Sequence, residues 1–222
     1  MAPKLAGMAR PAPEAEAPQR RYRGASRETR RRDQRERLIL AARDVFAAQG
    51  YATARIDEIV ARAHVSRSSF YEFFESKEDC LLAVFAAGAQ RFRDALYEVV
   101  ALDLEPIDRI RAEIRSVAAS CAADPAMARI VLIEVVGATP AAEQLRAQAR
   151  LAACQVIENQ LAGYPEWRRR PARERQLAAM STMAAIAEPL SHLVAADQLG
   201  DWETIVEPVT QYVARALIPS RR

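Results

Sequence analysis

Apolar side chains recur every three to four residues along most of this chain, a spacing typical of amphipathic helices. A first helix is predicted from about Arg30, and its apolar stripe comprises Leu38, Ala41, Ala42, Val45 and Phe46. Gly50 follows this stripe in the position where a glycine ends many helices. Shorter helices are predicted over 56–63 and 66–74, and a longer one starts after Ser76, whose spacing to Asp79 is that of a capping box.

Prolines mark the expected helix starts beyond residue 100, because the fixed φ of proline suits the first helical turn. Four of them precede periodic segments: Pro106, Pro125, Pro140 and Pro171. Asp124 and Thr139 stand directly before two of these prolines as N-caps, and Asp201 is expected to cap a last helix that ends near Leu217. Residues 163–165 are expected to end the helix that begins at Pro140. About nine helices and no strand pair are predicted.

Composition supports an all-α fold. The 222 residues include 46 alanines against 14 aromatic residues, and alanine is the strongest helix former whereas strands favour branched and aromatic residues. Half of the residues are apolar, which excludes global disorder and suffices for a substantial core. The length suits one large domain or two small ones.

Basic residues are concentrated at one end of the chain. Residues 1–37 contain eleven Lys or Arg and five acidic residues, so their net charge is +6, while the whole chain carries only +3. Residues 1–29 are also rich in Pro and Ala, and we interpret them as a disordered basic arm. Such an arm is typical of proteins that bind a polyanion, although a solubilising tail, nuclear localisation and membrane-surface binding are alternatives.

Other classes of protein find little support in the sequence. The three cysteines are widely spaced and only two histidines are present, so no disulfide scaffold, metal site or cofactor is expected. No apolar run reaches the length of a membrane span, and the start lacks the pattern of a signal peptide. We therefore expect a cytoplasmic protein without a membrane partner. An enzyme is disfavoured because no Gly-rich phosphate loop or nucleophile–base pair is found.

The most informative segment is 50–79, which predicts two short helices separated by a tight turn at His64 and Val65. Ser66 is expected to cap the second helix, and the exposed first turn consists of Arg67, Ser68 and Ser69. A helix that presents a polar first turn while its apolar face packs on the preceding helix is typical of helix-turn-helix DNA-binding proteins.

This segment resembles the DNA-binding domain of the TetR/AcrR family of transcriptional regulators, and the resemblance extends over about 35–85. It implies a helix-turn-helix DNA-binding domain over 30–78. It also implies a helical ligand-binding and dimerisation domain over 79–222, with the dimer interface on its last two long helices, near 172–199 and 202–217.

The resemblance implies roles for individual residues of the DNA-binding domain. The expected DNA-binding residues are Arg55, Ser66, Arg67, Ser68, Ser69, Tyr71 and Lys77. Arg67 is the candidate for a bidentate contact to guanine, whereas Tyr71 and Lys77 would contact phosphates. Alternatively, Tyr71 is a core aromatic residue between helices and Arg67 a solvated arginine.

The chain departs from the family pattern at three places. Ala54 and Arg55 replace the threonine pair that usually opens the second helix, which removes a hydroxyl cap. His64 replaces the turn glycine and must adopt the turn without the freedom of glycine, although histidine tolerates positive φ better than most residues. Phe73 stands where a histidine is common.

Candidates for an effector pocket lie in the second domain. Glu134, within an apolar run, could meet a cationic effector, although a salt bridge between helices or exposure to solvent is an equally simple interpretation. Met180 and Met183 could line an adaptable apolar pocket or belong to the core. The cysteines could sense oxidants or be buried and inert.

Together these features predict a homodimeric transcriptional regulator that binds a palindromic double-stranded DNA operator. The expected mode is repression that ends when a small apolar or amphipathic effector binds. An alternative is a DNA-binding protein of the same fold without a small-molecule ligand, which acts architecturally or through a protein partner.

Overall fold

A computed structural model of the protein describes residues 19–100, 104–162 and 165–217. This part of the chain is helical and contains no strand. Its α-helices are α1 (Gln19–Gln49), α2 (Ile56–Ala63), α3 (Arg67–Tyr71), α4 (Lys77–Val100), α5 (Pro106–Ala123), α6 (Pro125–Arg129), α7 (Pro140–Leu161), α8 (Pro165–Arg169), α9 (Ala172–Ala195) and α10 (Glu203–Leu217). A π-helical turn occupies Ile130–Glu134 and a 3₁₀ turn occupies Leu199–Asp201.

The chain divides into two compact units, Met1–Glu36 and Arg37–Arg222. Residues 1–18, which include most of the predicted disordered arm, lie outside the described residues. The predicted start of the first helix near Arg30 is wrong, because α1 begins at Gln19. The physical reason is that Pro18 is the last proline before the helix, and the residues after it are mainly Arg, Gln, Glu and Ala, which favour helix.

The core of the second unit begins where α1 becomes amphipathic. Leu38, Phe46, Ile59, Phe70 and Leu81 are completely buried and join α1 to α2, α3 and α4. The same cluster includes Met127 of α6 and Ile130 of the π-helical turn. Helices α1, α2 and α3 therefore share one core with α4, α6 and the π-helical turn.

Three further clusters form the C-terminal part of this unit, and the smallest joins Cys154 and Ile157 of α7 to Ala179 of α9. In a second cluster, α5 packs against α10 through Ile114 and Val213, and Trp167 of α8 is buried beside them. In the third, Val117 of α5 and Leu190 of α9 pack together with Leu199. Helix α7 packs against α4 and α9, which completes the bundle.

Gly88 of α4 permits a close approach between this helix and the following layer. A Cβ atom at Gly88 would lie 2.5 Å from Cγ2 of Val131 and 2.6 Å from Sδ of Met127. Both distances are shorter than van der Waals contact, so any side chain at this position would require the Val131 and Met127 side chains to move.

Two short elements were not predicted. The apolar run that starts at Ile130 forms a π-helical turn, closed by a hydrogen bond of 3.1 Å from the Val135 N–H to the Ile130 carbonyl. Helix α8 begins at Pro165, where the sequence predicts only the end of a helix; Gly163 and Tyr164 lie outside the described residues. Five-residue elements carry too few periodic positions to be recognised from hydrophobic spacing.

Helix α9 is long and apolar enough to cross a membrane by length and composition, with a mean hydropathy of 1.2 over 18 residues. Core helices of globular proteins meet the same criterion, and α9 packs against α7 and α10. The apolar character of α9 is therefore only weak evidence for a membrane-spanning helix.

Candidate functional site

Helices α2 and α3 are joined by the tight turn that the sequence predicts. His64 has a left-handed backbone with φ 53° and ψ 47°, and its N–H donates to the Ala61 carbonyl over 3.2 Å. The Val65 N–H donates to the Val60 carbonyl over 3.1 Å. The expectation that His64 adopts the turn in place of glycine is confirmed.

Ser66 caps α3 as predicted. Its Oγ accepts a hydrogen bond of 3.1 Å from the Ser69 N–H and lies 2.8 Å from Oγ of Ser68. Ser68 is exposed and Ser69 is half-buried. The first turn of α3 therefore presents a side-chain hydroxyl whose orientation is supported by the cap.

Arg67 and Tyr71 lie side by side on the exposed surface of α3. The Arg67 guanidinium donates to Oδ1 of Asp57 over 2.7 Å, and its central carbon lies 5.9 Å from the centroid of the Tyr71 ring. Tyr71 is 47% exposed, so it is no core aromatic residue, although one edge of it packs against Phe70. Both partners of the Arg67–Asp57 pair are more than half exposed, and such pairs exchange readily with other partners.

Lys77 does not present its ammonium to a phosphate. Its Nζ donates to the carbonyls of Tyr51, Ala52 and Ala54 over 2.8, 3.2 and 2.9 Å, and it lies 4.6 Å from the Tyr51 ring centroid. An ammonium has three N–H donors, and all three are used inside the protein. The prediction of a phosphate contact is corrected: Lys77 holds the α1–α2 connection.

Arg55 is exposed at the start of α2. Its backbone N–H donates to Oε2 of Glu58 over 3.0 Å, and Glu58 also accepts from Nε2 of Gln49 over 2.9 Å. Arginine has no acceptor atom, so the Arg55 side chain cannot cap α2 as a threonine hydroxyl would. The Glu58 carboxylate in the first turn of α2 accepts the Arg55 N–H instead.

Glu134 lies against the α1–α2 connection and not in the large cavity described below. Its Oε2 accepts from the Tyr51 N–H over 3.2 Å, and its Oε1 accepts from Nε of Arg129 over 3.2 Å. The prediction that Glu134 lines an effector pocket is thereby corrected in favour of the salt-bridge alternative. The π-helical turn, which the periodicity did not predict, orients this side chain.

Asp124, which precedes α6, makes a second link between α1 and the rest of the bundle. Its Oδ1 accepts from the Met127 N–H over 3.0 Å as the predicted N-cap. Its Oδ2 accepts from Arg43 of α1 over 2.8 Å and from Arg91 of α4 over 2.5 Å. The sequence indicated the cap but not these two ion pairs, because both partners are distant in the chain.

A cavity of about 1440 Å³ lies within the helical bundle, bounded by α4, α5, α7, α9 and the π-helical turn. Most of its lining is apolar, for example Phe92, Ile114 and Leu190. Met180 and Met183 belong to this lining, as the sequence suggested. The cavity is large enough for a long aliphatic ligand.

Several polar side chains interrupt the apolar lining, and three of them, Arg109 and Glu113 of α5 and Gln160 of α7, are here called the polar cluster. Burial raises the pKa of Glu113 to about 7, against the opposing influence of the Arg109 charge and the Gln160 amide. Hydrophobic periodicity does not indicate this cluster, although Glu113 stands beside the apolar stripe of α5 that contains Ile110 and Ile114.

Two cysteines also line the cavity. Cys121 and Cys154 are buried, and desolvation raises the pKa of Cys121 to about 12. Cys80 is buried elsewhere in the core. A thiol that stays protonated is a poor nucleophile, which favours the interpretation of buried, inert thiols over oxidant sensing.

Large apolar side chains remain exposed on the last long helices. Leu177 and Met180 of α9 are 54% and 50% exposed, and Tyr212 of α10 is 61% exposed. Leu151 of α7 is exposed as well. Leu177, Met180 and Tyr212 lie in the segments for which the sequence predicted a dimer interface, whereas Leu151 lies outside them.

Comparison with known proteins locates the strongest similarity in the short helices. Residues 38–84 match the family model of bacterial regulatory proteins of the tetR family. The chain is 31% identical over 86 residues to the transcriptional activator FasR of Mycolicibacterium smegmatis, a match that covers 39% of each chain. It is 43% identical over 53 residues to the regulator SrpR of Pseudomonas putida, covering 24% of this chain and 25% of that protein. The matched regions thus span less than half of these relatives.

Solved structures share the fold along most of the chain. The fatty acid degradation regulator FadR of Bacillus halodurans superposes with a TM-score of 0.73 at 21% identity, covering 85% of this chain and 97% of that one. FadR of Bacillus subtilis, solved in complex with stearoyl-CoA, gives 0.68 at 19% identity, covering 79% and 97%. Residues 38–84 thus match the tetR family of bacterial regulatory proteins in sequence, and the chain as a whole shares its fold with these solved structures.

Proposed function

We propose that this protein is a transcriptional regulator that binds a specific DNA operator and responds to an amphipathic effector. The proposal depends on two features of the same compact unit. One is the exposed first turn of α3, which Ser66 caps, and the other is the apolar cavity in the helical bundle. The fold supports both parts, because the short helices can enter a major groove while the bundle encloses a ligand.

In the proposed complex, the first turn of α3 approaches the base edges. Arg67 exchanges its exposed contact with Asp57 for a bidentate contact to guanine, and Ser68 contacts a neighbouring base. The Tyr71 hydroxyl and the exposed Arg55 contact phosphates, which fixes the register of the helix on the duplex. The capped and packed base of α3 supports this role, since a preorganised helix loses little entropy on binding.

We infer that the protein acts as a homodimer in the cytoplasm. One helix of five residues reads too few bases for a specific site, and a two-fold axis doubles the number. The exposed side chains of Leu177, Met180 and Tyr212 support an interface on α9 and α10, because these two helices pack together and exposed apolar surface commonly marks association sites.

For the effector we propose a fatty-acyl compound. The volume and apolar lining of the cavity suit a long aliphatic chain, and the structural neighbour from Bacillus subtilis was solved with stearoyl-CoA. Repression is the mode that we propose, with release of the operator when the ligand binds. Such release requires the ligand to bind more tightly to the conformation that fits the operator less well. The relative FasR is named an activator, so the test must also show whether the acyl ligand weakens or strengthens operator binding.

The test begins with selection of DNA sites from a random pool by the purified full-length protein, followed by binding measurements with and without stearoyl-CoA. We expect a palindromic site, about tenfold or greater weakening by Arg67→Ala, and little change for the exposed control Arg168→Ala on α8. Enrichment of no sequence would overturn the regulator proposal. If the protein selects a specific site but its affinity for that site does not change with stearoyl-CoA, the result would instead support a regulator without a small-molecule ligand.

A further inference from the structure

The polar cluster lies in a cavity whose lining is mainly apolar but also includes arginines outside the cluster, such as Arg93 and Arg150. Glu113 projects from α5 and Gln160 from α7, so the cluster joins two walls of the cavity. Around it lie apolar side chains such as Ile110, Ile157 and Leu161. A polar group placed inside such a lining fixes the orientation and specificity of a bound ligand.

In this cluster, Glu113 and Gln160 each have one buried atom without a hydrogen-bond partner among residues 19–100, 104–162 and 165–217. The two atoms are Oε1 of Glu113, an acceptor when the carboxyl is ionised, and Nε2 of Gln160, a donor. Buried polar groups are nearly always hydrogen-bonded in folded proteins. An acceptor and a donor that both lack partners inside a cavity therefore indicate that a ligand or solvent forms these hydrogen bonds.

We propose that Glu113 and Gln160 recognise a hydroxyl group carried on the aliphatic chain of the effector. The inference rests on the proposed effector function and specifies the chemical class: a hydroxylated fatty-acyl compound. The hydroxyl donates its proton to Oε1 of Glu113 and accepts a hydrogen bond from Nε2 of Gln160. The aliphatic remainder of the chain occupies the apolar part of the cavity.

A hydroxyl fits these two atoms better than the other groups that a lipid can bring. A hydrocarbon would leave both atoms desolvated and unpaired, which lowers affinity. A carboxylate or phosphate placed at the same point would face the oxygen atoms of Glu113, whose carboxyl already interacts with the charge of Arg109. A hydroxyl also rotates freely, so it can donate to an ionised carboxylate or accept from a protonated one, and burial holds Glu113 between these two states near neutral pH.

The test compares ligands that differ only in the hydroxyl. Binding of octadecanoate and of its 3-hydroxy, 10-hydroxy and 12-hydroxy derivatives to the full-length protein is measured by isothermal titration calorimetry. We expect at least one hydroxylated member to bind about tenfold or more tightly than octadecanoate, since a plain chain leaves two buried polar groups unmet and each weakens binding by about fivefold or more. The dependence on position then reports the distance from the carboxylate to the polar cluster.

Two variants remove the recognising atoms while retaining similar side-chain volume. Glu113→Leu and Gln160→Leu should each abolish the preference for the hydroxylated chain and leave the affinity for octadecanoate unchanged or higher. Gln155→Leu, which lies on an exposed position of the same helix as Gln160, is the matched control and should keep the preference. Thermal unfolding of each variant checks that the fold is retained.

The outcomes separate this inference from the effector proposal. If octadecanoate binds as tightly as every hydroxylated derivative, or if the preference survives in both leucine variants, the hydroxyl inference is wrong while an acyl effector stands. If none of the four compounds binds but stearoyl-CoA changes operator affinity, the hydroxyl inference is wrong and the effector proposal stands; if stearoyl-CoA has no effect either, both are wrong. If the hydroxylated chain binds with the expected preference but leaves operator affinity unchanged, the hydroxyl site stands and the regulatory role of the ligand fails.

Discussion

Glu134 accepts a hydrogen bond from the backbone N–H of Tyr51 over 3.2 Å, although the two residues are 83 positions apart in the chain. Glu134 belongs to the π-helical turn, whose residues Val131, Leu132 and Ile133 line the cavity. Tyr51 belongs to the connection between α1 and α2, which Lys77 holds at the same point. One short element therefore touches both the cavity and the helix-turn-helix.

This relationship predicts that Glu134 couples ligand binding to DNA binding. Glu134→Leu should lower the free energy of unfolding by about 1–3 kcal/mol, because the Tyr51 N–H and Arg129 lose their acceptor. It should also reduce the change in operator affinity caused by an acyl ligand, whereas Glu134→Gln, which retains an acceptor oxygen, should preserve most of it. Titrations of operator DNA with and without stearoyl-CoA measure this effect. Glu98→Leu, exposed on α4, is the control; a full ligand response in Glu134→Leu would contradict the coupling.

Lys77 is predicted to stabilise the domain without contacting DNA. Lys77→Met removes three hydrogen bonds from a charged donor and should lower the free energy of unfolding by about 2–3 kcal/mol. In the folded variant, the dependence of DNA affinity on salt concentration should be unchanged, since no phosphate contact is lost. A lost contact would reduce the slope by about one unit. Arg115→Met, which breaks an exposed ion pair of 3.5 Å, should cost less than about 1 kcal/mol.

His64 is predicted to limit the stability of the turn between α2 and α3. Its φ of 53° is unfavourable for a residue with a Cβ atom, so His64→Gly should raise the free energy of unfolding by about 0.5–1 kcal/mol. His64→Ala should instead be neutral or destabilising, because alanine is strained in the same conformation. Chemical denaturation of the three proteins decides the matter, and equal stabilisation by glycine and alanine would point to a cause other than backbone strain.

Glu113 predicts a dependence of stability on pH. Its folded pKa of about 7 exceeds the unfolded value, so the native state binds the extra proton and the unfolded state loses it first. The resulting penalty is absent below the unfolded pKa, grows as the pH rises towards 7 and is complete above that value, where it amounts to about 3 kcal/mol. The charged group that faces Glu113 is Arg109 of the same helix.

The variant Glu113→Gln should therefore be more stable than the parent protein at pH 8 and similar to it at pH 4.5. Denaturant midpoints measured across this range provide the comparison. A constant difference between the two proteins at all pH values would show that Glu113 does not titrate between them.

The N-terminal arm is predicted to supply non-specific affinity for DNA. Residues 38–77 contain equal numbers of basic and acidic side chains, whereas 1–37 carry a net charge of +6. Deletion of residues 2–30 should weaken binding to operator and random DNA alike and flatten the dependence on salt concentration. Gel-shift titrations at several salt concentrations test this, and a truncated protein with unchanged affinity and slope would refute it.

Sequence alone predicted the helix-turn-helix because its signals are local. The apolar stripe that begins at Leu38, the cap at Ser66 and the turn at His64 each depend on neighbours within a few residues, and the structure has all three as expected. The same holds for the helix starts at Pro106, Pro125 and Pro140, where N-cap and proline preferences act within one turn.

Only the tertiary structure decided what the polar side chains of the bundle do. Lys77 and Glu134 were assigned to DNA and to the effector, and both instead contact the α1–α2 connection, while Glu113 and Gln160 reach the cavity unforeseen. Periodicity tells which face of a helix is apolar, but the direction of a charged side chain depends on partners from other helices. For Tyr51 and Glu134 those partners meet only after 83 residues of intervening chain have folded into the same core.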